Sequence, residues 1–196
     1  MSTKLNDTAR MMQAMGRAIS WHDGQRRKGE ANEPYAIHLA HVAQLIAEAT
    51  GGEDADLVIA GILHDAVEDA GISLDALAMQ FGRPVADLVK EVTDDKSLPK
   101  EERKRLQIEN APHKTARAAI LKLADNTSNV MALAVSPPKD WDRARLEHYV
   151  DWAEAVVARL PERNPVLMAK FEEACELARK SFTGGKTSDL DEMLRP

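Results

Sequence analysis

Ile62-Leu63-His64-Asp65-Ala66-Val67-Glu68-Asp69 sets an imidazole beside a carboxylate, with two more carboxylates one helical turn further on. The preceding run, Leu57-Val58-Ile59-Ala60-Gly61-Ile62-Leu63, is apolar throughout and reads as a core helix that runs into the acidic cluster. Where that helix continues, His64 shares a face with Glu68 and Asp65 with Asp69, because residues four apart are neighbours. Three carboxylates within residues 65–69 repel one another unless water or a cation stands between them. The stretch therefore asks for positive charge from elsewhere in the chain.

Working outward, helical spacing dominates on both sides. Met11, Met12, Met15, Ala18 and Ile19 recur at that spacing and predict a first helix ending near Gly24, its Met stripe turned to the core. A polar loop follows, Gln25 to Pro34, carrying the three consecutive cations Arg26, Arg27 and Lys28. A second helix, from about Tyr35 to Thr50, presents Leu39, Val42, Leu45 and Ile46 on one face and also carries His38 and His41. Gly51-Gly52 ends it. Downstream, Ser73 is an N-cap for a short helix ending at Phe81-Gly82, and Pro84 suits the first turn of the next. Pro99 opens a highly charged helix, Lys100 to Asn110, and a long helix from about Thr115 to Ala134 is apolar on more than one side, as a central, buried helix would be. A helix from Trp141 to Leu160 and another from Asn164-Pro165 to Phe182 complete the chain, leaving a loose Gly- and charge-bearing tail from residue 183. No stretch alternates as a strand would. The expectation is all-α, a single helical bundle over residues 1–182.

The bulk properties agree. A chain of 196 residues fits one domain, and at this size roughly 70% of the unfolded surface can be buried. A net charge of −6 argues against a general nucleic-acid binder, which needs a basic face for phosphates. The single Cys175 excludes an internal disulfide and reads as a small buried hydrophobe. No signal peptide opens the sequence and no apolar run approaches the ~20 residues of a membrane span, so a soluble, cytoplasmic protein is expected.

The charge sought by the acidic cluster has candidate partners. Leu121-Lys122-Leu123-Ala124-Asp125-Asn126-Thr127-Ser128-Asn129 carries Asp125 and Asn129 four apart, on one side of the long helix. A carboxylate flanked by core residues is costly without a paired charge. His38, the adjacent His64 and Asp65, and Asp125 thus come from three helices and form a mixed nitrogen and oxygen set. Such a set suits manganese or ferrous iron, and zinc, cobalt or nickel could also occupy it.

His38, then His64-Asp65, then Asp125 on successive helices resembles the HD-domain metal phosphohydrolases. Three stretches narrow the resemblance to the hydrolase domain of RelA/SpoT proteins: His64 to Asp69, Glu91-Val92-Thr93-Asp94-Asp95-Lys96, and Lys122 to Asp125 with Asn129. Arg26-Arg27-Lys28 ahead of Tyr35 and His38, and Tyr149 within Glu147 to Ala153, match as well. The likeness covers roughly residues 8 to 160 and stops where a synthetase domain would begin, as in the stand-alone small alarmone hydrolases.

The resemblance implies removal of the 3′-pyrophosphate from (p)ppGpp or (p)ppApp, with Mn2+ as the usual metal. It implies His38, His64, Asp65 and Asp125 as ligands, and Glu68 and Asp69 as the pair that holds and deprotonates the attacking water. Arg27 and Lys28, assisted by Arg26, would grip the phosphates of a small-molecule nucleotide, with Asn129 and Tyr149 completing its pocket. Lys96 and Arg103 or Arg105 are further phosphate candidates, and a homodimer is a common arrangement among such proteins. This sequence departs from the family at Asn126, Thr127 and Ser128, small where bulkier residues are usual, and at His41, where a small one is. These changes are expected on the faces that shape the base and sugar pocket. Two other readings are an NADPH phosphatase or broader HD nucleotide phosphohydrolase, and a non-catalytic alarmone-binding module.

Overall fold

The protein is described from a computed structural model, covering residues 5–184. The expected tail lies almost wholly outside those residues; Thr183 and Gly184 form a turn. Helices account for the regular structure, in the order α1 (Asp7–Trp21), α2 (Ala36–Thr50), α3 (Ala55–Leu63), α4 (Ala66–Ala70), α5 (Leu74–Phe81), α6 (Arg83–Val92), α7 (Lys100–Asn110), α8 (Ala116–Val135), α9 (Arg143–Val157) and α10 (Pro165–Phe182). Among the described residues the only β pairing is an isolated bridge between Arg26 and Pro34. No helix there is long and apolar enough to cross a membrane.

Local chemistry sets most of the boundaries. The side chains of Asn6, Asp54, Ser73, Thr115, Asp142 and Asn164 each accept a hydrogen bond from a backbone N–H in the first turn that follows. Gly51 closes α2 in the left-handed conformation at φ 65°.

Helix α8 is the central element, packed against α10, α2, α6, α9 and α3. Leu121, Leu123, Ala124 and Val130 on it are fully buried. Helices α2 and α3 cross closely at Gly61, where an added Cβ would come within 2.6 Å of Ile46 Cδ1 and 3.5 Å of the Ala43 Cα. That close crossing matters for function, because His38 lies on α2 and His64 immediately after α3.

One expectation is corrected here. The core helix expected through Leu57 to Leu63 does not run on into the acidic cluster; α3 ends at Leu63 and a new short helix starts at Ala66. His64 Nδ1 lies 2.9 Å from the Gly61 carbonyl, a group that continuation of the helix would otherwise claim. The His64-Asp65 pair therefore sits in a break between two helices.

Candidate active site

Four side chains from three parts of the bundle converge beside α8. His38 comes from α2, His64 and Asp65 from the α3–α4 junction, and Asp125 from α8. His38 Nε2 lies 3.6 Å from Asp65 Oδ2 and 3.4 Å from Asp125 Oδ1. His64 Nε2 lies 3.0 Å from Asp65 Oδ2 and 3.7 Å from Asp125 Oδ1. Ligand atoms of His38, His64 and Asp65 all fall within 4.8 Å of one another. Asp125 is outside that mutual limit but approaches both imidazoles.

The donor set fits a divalent cation. His64 Nε2 is buried without a hydrogen-bond partner, although the Asp65 oxygen stands 3.0 Å away, because that contact lacks hydrogen-bond geometry. Burial pushes both carboxyls up, but neighbouring positive charge outweighs it and both end below the ordinary range. For Asp65 the opposing charge is the protonated His64 ring, a charge that a bound cation would replace, and for Asp125 it is the Lys122 ammonium. Two ionised carboxylates and two imidazoles around one point form the mixed oxygen and nitrogen set that suits manganese or ferrous iron.

Each member is oriented by a partner behind it. Tyr35 Oη donates to Asp65 Oδ2 at 2.6 Å. Lys122 Nζ donates to Asp125 Oδ2 at 3.0 Å, and Asn129 Nδ2 to Asp125 Oδ1 at 2.7 Å. His38 Nδ1 meets Ser128 Oγ at 3.0 Å. Such contacts fix ring tautomers and carboxylate orientation around a metal.

Beside this cluster opens a cleft of about 580 Å³, and Arg26, Arg27, Lys28, Glu68, Asp69, Asn129 and Tyr149 all line it. Glu68, Asp69 and the five residues expected to grip the nucleotide thus meet in one place. Arg27 Nη1 donates to Asn129 Oδ1 at 3.3 Å, joining the basic loop to α8. The loop is held down where Ala31 N–H donates to Ser136 Oγ at 2.8 Å. Gly29 makes this approach feasible, since a Cβ there would strike the Ser136 carbonyl.

Glu68 is half-buried between positive groups and the Asp94 amide, which donates to its Oε2 at 3.2 Å. Arg103 Nη1 lies 3.5 Å and Lys96 Nζ 3.8 Å from Glu68 Oε1, and Lys96 also pairs with Asp69. Burial is the leading reason that the Glu68 carboxyl is raised above its ordinary value.

Two sequence expectations change. Arg105 pairs with Glu102 and Glu109 on the exposed side of α7 and does not line the cleft, whereas Lys96 and Arg103 do. Asn126, Thr127, Ser128 and His41 do not shape the cleft either. Thr127 donates to the Leu123 carbonyl within α8, and Ser128 faces His38 and His41. The turn of α8 points these small side chains inward, away from the nucleotide-sized opening.

Sequence reasoning missed Lys100 and Trp141, which also line the cleft. Trp141 and Tyr149 stand 5.7 Å apart between ring centroids, with Arg145 over Trp141 at 4.4 Å. Lys104 lies 4.8 Å from the Tyr149 ring and 4.5 Å from that of Trp152. Tyr149 and Trp152, three apart on α9, were a helical-face signal for part of this wall, whereas Trp141 lies ahead of the helix, where periodicity does not place it.

A convergent His/Asp cluster in an all-helical bundle defines a class, and the chain belongs to the HD domain family, which it matches over residues 14–154. Within that family it is similar to small proteins of comparable length and to part of longer ones, among them a Vibrio cholerae guanosine-3′,5′-bis(diphosphate) 3′-pyrophosphohydrolase, 37% identical over 67% of this chain and 19% of that protein. It is 41% identical to the human guanosine-3′,5′-bis(diphosphate) 3′-pyrophosphohydrolase MESH1 over 159 residues, covering 81% of this chain and 89% of that protein. The Xenopus tropicalis MESH1 is 39% identical over 167 residues, 85% of this chain and 93% of that one. A solved structure of a metazoan ortholog of SpoT that hydrolyses ppGpp superposes with a TM-score of 0.82 at 39% identity, covering 89% of this chain and 97% of that one.

Proposed function

We propose that the protein is a metal-dependent 3′-pyrophosphohydrolase of purine nucleotide alarmones, (p)ppGpp and/or (p)ppApp, releasing pyrophosphate. The observation that carries this reading is that the His38–His64–Asp65–Asp125 cluster lies directly behind a cleft lined by Glu68, Asp69 and six cations, joined to it by the cleft residues Tyr35 and Asn129, which hydrogen-bond to Asp65 and Asp125. The likeness to the MESH1 proteins, named as pyrophosphohydrolases of guanosine-3′,5′-bis(diphosphate), supports it.

His38, His64, Asp65 and Asp125 would hold the cation, with Mn2+ the expected ion. Such an ion polarises a phosphoryl oxygen and lowers the pKa of water toward neutrality. Arg26, Arg27, Lys28, Lys96, Lys100 and Arg103 supply positive charge to a polyphosphate, the guanidinium groups by paired hydrogen bonds. Tyr149 and Trp141 offer ring faces to a base or sugar. Glu68 accepts a proton at its carboxylate from the attacking water, and Asp69 helps to orient that water. A carboxyl raised by burial is a stronger base than an exposed one, which argues against a merely binding module.

A second reading has a specific observation in its favour. The two-ring wall of Trp141 and Tyr149, flanked by Arg145 and Lys104, offers stacking area for a second base, as a 2′-phosphorylated dinucleotide such as NADPH would need. Incubation of the manganese-loaded protein with ppGpp, ppApp and NADPH, with pyrophosphate and phosphate measured separately, decides between the readings. The expected result is pyrophosphate from an alarmone, lost in Asp65→Ala and in Glu68→Ala, while the latter still binds manganese. Phosphate from NADPH alone would favour the second reading. Turnover by Glu68→Ala at the parental rate would remove Glu68 from its role.

A further inference from the structure

The two imidazoles of the cluster are held in different ways. His64 Nδ1 is 2.9 Å from the Gly61 carbonyl, a main-chain group that no side-chain substitution can remove. His38 Nδ1 meets a side chain, Ser128 Oγ, at 3.0 Å. The same hydroxyl lies 3.0 Å from His41 Nδ1, on the next turn of α2. His38 and Ser128 are buried and His41 is half-buried, so water competes little for these contacts.

A serine hydroxyl has one proton to give and two lone pairs to receive. For His38 to offer its Nε2 lone pair toward Asp65 and Asp125, its proton must sit on Nδ1 and be donated to Ser128 Oγ. The hydroxyl proton then points on to His41 Nδ1, and His41 keeps its own proton on Nε2. In the reverse order His41 Nδ1 donates to Ser128, and Ser128 donates to His38 Nδ1. That order moves the His38 proton to Nε2, facing the carboxylates, and withdraws the lone pair. Of these two head-to-tail arrangements, only the first presents a ligand.

We propose that Ser128 and His41 form a positioning relay that sets the tautomer and ring orientation of His38, and so tunes the affinity of the site for its divalent cation. Neither residue lines the cleft, so the relay acts through His38 and not on the nucleotide. The proposal rests on His38 being a metal ligand.

The test is binding of Mn2+ alone to the chelator-stripped full chain, followed by the paramagnetic signal of free manganese and by calorimetry. Ser128→Ala is expected to weaken binding about 10- to 100-fold, the usual loss when the support of a liganding histidine is removed. Ser128→Thr keeps the hydroxyl and is expected to stay near the parent. His41→Ala weakens binding less, and His41→Asn, whose amide oxygen can accept near the former Nδ1, restores part of the loss. The double substitution Ser128→Ala/His41→Ala is no worse than Ser128→Ala, because one chain of hydrogen bonds is broken in either case. At saturating manganese the KM for the nucleotide stays at the parental value in all of them. Should Ser128→Ala prove poorly folded in a chelator-containing melt, the His41→Ala and His41→Asn pair decides by itself. The relay is overturned if Ser128→Ala or both His41 variants bind manganese as the parent does while His38→Ala does not. It is also overturned if the two losses multiply. If His38→Ala binds as the parent does, it is the metal reading itself that fails.

Discussion

Tyr35 donates its phenolic proton to Asp65 Oδ2 at 2.6 Å, tying the residue ahead of α2 to the turn between α3 and α4. The same ring stacks on His22 at 5.3 Å and meets His38 edge-on at 5.5 Å. Burial first, then the Asp65 charge, pushes the phenol far above its ordinary value, so Tyr35 remains a donor at any working pH. Tyr35→Phe keeps the packing and removes the proton. It is expected to lower stability by about 1–3 kcal/mol and manganese affinity by about 10-fold, read from the urea midpoint and a Mn2+ titration. Unchanged values for both would mean that Asp65 is held by its other neighbours.

Glu68 gives a pH dependence. Burial raises its carboxyl above the ordinary value of 4.5, so activity that needs the carboxylate fails as pH falls through that raised value. The acid limb of kcat/KM is therefore expected above the ordinary glutamate range, and Glu68→Gln is expected to lose about 10²–10⁴ in kcat while still binding manganese. The folding sign is the opposite. The native state holds this proton more tightly than the unfolded chain, so the Glu68 contribution to stability shrinks as pH rises from 4.5 through the raised value. At neutral pH Glu68→Gln is expected to melt at or above the parental temperature. A clear drop would show that the Arg103 and Lys96 contacts contribute more than burial costs.

The basic side of the cleft predicts a KM effect. Arg27→Ala removes a guanidinium held at 3.3 Å by Asn129 and is expected to raise KM about 10- to 100-fold with a smaller change in kcat. Lys100→Ala, at a point-charge contact, is expected to raise it less. In the parent, KM should climb with added salt as the charges are screened. Steady-state kinetics at two salt concentrations tests all three, and a salt-independent KM would argue against charge steering.

Lys104 is lowered to about 8, first by burial and then by the charges of Lys100 and Arg145. Its native proton is held less tightly than in the unfolded chain, so its contribution to stability rises between about 8 and the ordinary lysine value of 10.5 and is complete above that. Lys104→Met is therefore expected to raise the melting temperature at neutral pH, with the gap closing as pH rises through that window. Melting curves across the window check it, and a gap independent of pH would mean that packing against Tyr149 and Trp152 dominates.

Much of this was legible from near neighbours in sequence. Ser73, Thr115 and Asn164 mark helix starts because a short polar side chain satisfies the N–H groups just after it, a local event. His38, His64, Asp65 and Asp125 stood out as polar, chemically capable groups among core residues, and they do converge. The break after Leu63 was hidden, because it depends on the His64 ring taking the Gly61 carbonyl. The inward turn of Asn126 to Ser128 was also hidden, since α8 is packed on several sides and its periodicity does not say which side faces the cleft.

By itself the sequence determined an all-helical chain and the residue types able to hold a cation and a polyphosphate, because periodicity, caps and side-chain chemistry are encoded within a few positions. Only the tertiary structure decided that α2, α3 and α8 cross so closely that two imidazoles and two carboxylates share one point. It also decided that Ser128 meets His38 and that Trp141 and Lys100 join the cleft. Those outcomes depend on how helices pack at contacts such as Gly61 against Ile46, between residues distant in the chain.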